Sequence, residues 1–170
     1  MTKRSAAFDG VRFSTLLAYR DSETERWRAW FDAHPAALEV PIGTGRTATV
    51  QGLVVHIFAV ELRYAERLLG LRVTEYEELE PATLDDVFAI GHRARGLIDR
   101  FLEQADDAQM REVLEFRTLT AGMVRASRYR ITANLVNHGV RHWAQIATVL
   151  RQHGMGDQWP HDLLLSDIDL

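Results

Sequence analysis

NLVNHGVRHWAQIATVLRQHG, residues 134–154, is the stretch whose reading decides the fold. Together with the residues just before it, it carries a stripe of Ile131, Leu135, His138, His142, Ile146 and Val149. Steps of three and four residues put these side chains on one face of a helix. Ser127 stands where an N-cap is needed and Gly154 where a helix stops, so the spacing predicts one long helix ending near His153. A helix with a single apolar face must bury it against other elements.

Three upstream segments supply those partners. Phe13 to His34 repeats Phe13, Leu16, Leu17, Thr24, Trp27 and Phe31, with Asp9 as a cap if the helix begins early and Pro35 as its end. Val50 to Leu69 carries Leu53, His56, Ile57, Val60, Tyr64 and Leu68, with Thr47 or Thr49 as cap and Gly70 as stop. Thr83 caps a third helix running to about Gln104, with Asp85 and Asp86 favouring its positive end. Its stripe includes Leu84, Val87, Phe88, Gly91, Arg95, Ile98 and Leu102. From about Glu112 to Arg125 the helical pattern breaks around a turn at Thr120 to Gly122, which reads as a short β-hairpin before the last helix. Trp159, Leu163, Leu164 and Leu165 are expected to fold back on the body. The expectation is an all-α single domain over residues 1–170, a four-helix bundle whose long third connection permits a crossover.

Composition narrows the function. The 170 residues carry a net charge of −4, which argues against broad nucleic-acid binding. No apolar run approaches the ~20 residues that span a bilayer, and no apolar stretch follows Lys3 and Arg4 as a secretory signal would require. There are no cysteines, which fits a cytoplasmic setting and leaves only imidazole and oxygen as metal ligands.

Seven histidines are available. His138 and His142 lie one helical turn apart on one face, close enough to share an ion. His56 lies on the inward stripe of the second helix. Burying three imidazoles is costly unless each finds a partner, and one metal ion would satisfy all three. Three neutral imidazoles with open positions is the pattern of a catalytic site. The competing reading is three core histidines hydrogen-bonded to carbonyls or side chains. His34, His92 and His153 have settings better suited to helix ends or surface, and His161 is expected on the surface or folded over the site mouth.

Asn137, His138, Gly139, His142, Gln145, Ile146 and Gly154 match the last-helix pattern of the DinB (damage-inducible)/YfiT-like family, which the chain therefore resembles. The segment VVHIFAVELRYAERLLG is similar to that family's second helix, with His56 in the place of its histidine. The resemblance implies a four-helix bundle, a three-histidine divalent metal site on His56, His138 and His142, and a homodimer. It also implies kinship with bacterial thiol S-transferases, in which a metal activates a low-molecular-weight thiol such as bacillithiol or mycothiol. Many relatives carry a further histidine where this chain has Asn134.

The expected chemistry is therefore that of one divalent ion, zinc, nickel or iron, acting with a small thiol or another small-molecule substrate. Candidate helpers are Asn134, Gln145, Glu61 and Tyr64. Gln145 would orient His142, and Glu61 would accept an imidazole N–H or serve as a base. Arg125, Arg128, Arg130 and Arg141 would either attract an anionic cofactor or form a solvated face. A metal-activated hydrolase and a non-catalytic metal-binding or stress-response protein are the alternatives.

Overall fold

The computed structural model describes residues 12–119, 121–156 and 159–168. Its long helices are α1 (Phe13–Ala33), α2 (Val50–Leu68) and α3 (Leu84–Gln104). A short helix α4 (Asp107–Arg111) follows, then strands β1 (Val113–Thr118) and β2 (Gly122–Ser127), then the long α5 (Arg128–Gln152). The fold is all-α with a β-hairpin before the last helix, as the sequence predicts. Asp9 and Thr120 lie outside the described residues.

The helix ends follow local chemistry. Thr49 accepts a hydrogen bond from the Gly52 N–H at 3.2 Å, Thr83 from Asp86 at 3.1 Å and Ser127 from Arg130 at 3.2 Å. Each satisfies a backbone donor that has no partner inside its own helix. Asp86 returns the bond to the Thr83 N–H, closing a capping box. Gly70 and Gly154 take positive φ values of 66° and 72° just past α2 and α5, where a side chain would be strained. The helix α4 is not foreseen by the periodicity. It is one turn, too short to show a stripe, and is held by a capping box between Asp106 and Gln109. The hairpin pairs antiparallel from Val113↔Ser127 to Thr118↔Gly122.

α2 is the central helix, packing against both α3 and α5, while α1 lies against α5. One core cluster gathers Trp27, Phe31, Ile57, Phe58, Phe88 and Trp143, and a second gathers Leu17, Leu68, Ile98, Phe101, Ile131 and Leu135. A Cβ on Gly91 would sit 2.7 Å from the Phe58 ring, so glycine is what lets α3 approach α2 there. On α5 the buried line runs through Leu135, Gly139, Trp143, Ile146 and Leu150. His138 and His142 therefore flank the core stripe instead of sitting inside it. The tail meets its expectation in part. Trp159 packs edge-on against Trp27 at 5.0 Å, whereas Leu164 and Leu165 are exposed.

Candidate metal centre

Two helices bring the three histidines together. His56 projects from α2, and His138 and His142 from successive turns of α5. Ring centroids are 5.2 Å apart for His56–His138, 5.2 Å for His56–His142 and 4.5 Å for His138–His142. One nitrogen from each ring lies within 4.8 Å of the others. A tetrahedral ion with zinc–nitrogen bonds of ~2.1 Å holds its nitrogens ~3.4 Å apart, so side-chain torsions would draw the group inward by up to about an ångström and a half to take one. The three rings are half-buried and line one cavity of about 430 Å³.

The electrostatics keep these rings neutral. Burial, followed by the charge of neighbouring His142 and Arg141, lowers the His56 pKa from 6.5 to about 4. Burial, reinforced by His142, His56 and Arg141, lowers His138 to about 3. His142 is lowered as well, chiefly by burial, with the Gln145 hydrogen bond acting the other way. Neutral imidazole is the form that binds a metal.

The hydrogen bonds define the donor set further. Gln145 Oε1 lies 3.0 Å from His142 Nδ1, and an amide oxygen can only accept, so that nitrogen carries the proton. His142 Nε2 is then the lone-pair nitrogen, and Arg141 donates to it at 3.2 Å. His138 Nδ1 is buried with no hydrogen-bond partner among the described residues. A buried polar atom left so is costly unless a ligand supplies the missing interaction. The donor chemistry, the neutral rings and this orphaned nitrogen fit a divalent ion.

The helper residues divide. Gln145 is in hydrogen-bond contact with His142. Asn134 and Tyr64 line the same cavity, Tyr64 with its ring edge-on to Phe116 at 5.8 Å. Glu61 departs from its expected role. Its carboxylate is fully buried and bound by the Arg20 guanidinium through Nε at 2.8 Å and through NH2. Burial raises its pKa and Arg20 opposes the rise. Among the described residues it accepts from no imidazole, and it is not part of the cavity lining. Gly139, between the two α5 ligand candidates, is the point where α5 meets this ion pair, since a Cβ there would lie 3.0 Å from Glu61 Oε1.

The remaining histidines have other partners. His34 Nδ1 meets the Trp30 carbonyl, His153 Nδ1 the Val149 carbonyl and His92 Nε2 the Glu25 carboxylate. His161 does not cover the site. It stacks on Trp27 at 5.4 Å, with Nδ1 2.6 Å from Glu23 Oε2. Of the four arginines singled out by sequence, Arg125 pairs with Glu115 and Arg128 with Glu112, and only Arg141 lines the cavity. Sequence reasoning missed Arg46, Arg63, Arg67 and Arg117, which line it too. The spacing of Arg63 and Arg67 relative to His56 on α2 could have revealed two of them.

A bundle of four long helices with three histidines from two of them at one cavity defines a helical protein with a group able to hold a metal ion. The chain belongs to the DinB family, whose model matches residues 7–165. No curated protein matches it. Among the described residues no helix is long and apolar enough to cross a membrane.

Proposed function

We propose that this DinB family protein holds one divalent metal ion on His56, His138 and His142 and uses the site to transfer a group to or from a small thiol. The observation that carries the reading is the convergence of three neutral imidazole nitrogens within 4.8 Å at the wall of an open cavity. Zinc, nickel and iron all suit such a donor set. When bound, the ion would favour a thiolate over a thiol, whose free pKa is ~8.5. The chain has no cysteine, so the sulfur must come from the bound small molecule.

The protein's own groups would do the positioning. Gln145 fixes the His142 ring and its tautomer. Asn134 and Tyr64 offer hydrogen-bonding groups to whatever enters the cavity. The hydrolase alternative loses its candidate base, because Glu61 is committed to Arg20. In keeping with the family, we further propose a cytoplasmic homodimer.

The test is to load the protein with zinc, nickel or iron and offer bacillithiol, mycothiol or glutathione with an electrophilic acceptor. The conjugate is followed by mass spectrometry, with His138→Ala as control. Conjugate formed by the wild type and lost in the control is the expected result. Equal yields from the two proteins would refute a transferase centred on this site.

A further inference from the structure

The cavity is strongly cationic in a chain that is acidic as a whole. Arg46, Arg63, Arg67, Arg117 and Arg141 line it, and among the described residues no Asp or Glu does. Two of the five have carboxylates just outside, Arg46 pairing with Glu77 and Arg63 with Glu75. Arg67, Arg117 and Arg141 make no ion pair among the described residues. They come from three different elements, α2, β1 and α5.

Arg67 is held ready. Its NH1 donates to the Arg63 carbonyl at 3.0 Å, and its guanidinium lies over the rings of Phe116 at 5.0 Å and Tyr64 at 5.7 Å. The carbonyl bond and the two rings restrain the fork, so little further entropy is lost when an anion docks. Burial, followed by the charge of Arg63, lowers its pKa, with Tyr64, Tyr76 and Glu75 acting the other way. Arg141 spends its NH2 on the lone pair of His142, a weak partner for a guanidinium. Three guanidiniums that face one cavity and make no ion pair among the described residues repel each other, and a bound metal ion would add to that repulsion. An anion in the cavity removes the penalty, and guanidinium forks match carboxylate and phosphate oxygens.

We propose that the cavity contains an oxyanion subsite, in which Arg67, Arg117 and Arg141 grip the carboxylate or phosphate of a small organic anion whose other end reaches the three histidines. A cavity of about 430 Å³ suits a small molecule. As a substrate class this rests on the metal-site reading, whereas as a binding site it rests on the arginines alone.

The experiment is calorimetric titration of the full, metal-free chain with succinate and, separately, inorganic phosphate at low salt. At least one probe binds the wild type, and which one binds distinguishes a carboxylate from a phosphate subsite. Arg67→Gln, Arg117→Gln and Arg141→Gln each weaken it by about tenfold or more. Arg125→Gln, outside the cavity, binds as the wild type does. His153→Ala, also outside the cavity, retains the anion. Arg117 is exposed, so Arg117→Gln carries the test even if Arg67→Gln fails to fold. Failure of both probes to bind the wild type overturns the subsite. So does equal weakening by Arg125→Gln, or full retention of binding in all three arginine variants. Metal content measured on the same preparations reads the histidine site independently.

Discussion

At the scale of single residues, the site is built from rings kept neutral by their surroundings. His56 and His138 have pKa values of about 4 and about 3 in the folded, metal-free chain, against 6.5 for an ordinary histidine. Below pH 6.5 the unfolded chain takes up protons on these residues and the folded chain does not. Stability therefore falls as pH drops from about 6.5 toward 4. Urea unfolding of the metal-free protein should show a lower midpoint at pH 5 than at pH 7, with a smaller difference in a His56→Phe/His138→Phe double variant. An equal difference in the two proteins would contradict the lowered values. The Gln145 contact makes a separate prediction. An acceptor that orients a ligating imidazole is typically worth about 10–100-fold in metal affinity, so Gln145→Ala should weaken binding in chelator competition by that order. Unchanged affinity would mean that His142 needs no such support.

At the scale of elements, the histidines depend on how α2 and α5 meet. Beside them, behind Gly139, lies the buried pair of Glu61 from α2 and Arg20 from α1. Removing one member leaves an uncompensated buried charge, which costs about 3–5 kcal/mol. Glu61→Leu should accordingly lower thermal stability markedly, and Arg20→Met in the same chain should recover much of the loss. No recovery would show that the charge is not what destabilises the single variant. Much of this level is legible in sequence. The Thr83 cap, the Gly70 and Gly154 stops and the helical stripes depend on neighbours a few residues away. Glu61 is different. Its partner stands 41 residues upstream, and nothing in local spacing distinguishes a carboxylate reaching for an imidazole from one reaching for Arg20. The α5 stripe misled in a related way, because helical spacing admits both the His138–His142 line and the adjoining Gly139–Trp143 line. Packing of Trp143 against Trp27 of α1 and Phe58 of α2 selects the second as core.

At the scale of the whole molecule, a four-helix frame leaves one face of α2 and α5 open to a cavity that the hairpin's Arg117, Thr118 and Leu119 also line. The histidine group was readable because two of its members share a helix and the third lies on a recognisable stripe. Arg46 and Arg117 were not, because they come from a loop and from β1 and meet α2 and α5 only on folding. The proposed transferase depends on this group holding a metal ion. The direct measurement is metal content of the protein purified under identical conditions as wild type, His56→Ala, His138→Ala, His142→Ala and His153→Ala. The account predicts about one ion per chain in the wild type and in His153→Ala, and loss of stoichiometric metal in the other three. Equal metal content in all five proteins, or none in the wild type after reconstitution with zinc, nickel or iron, would contradict it.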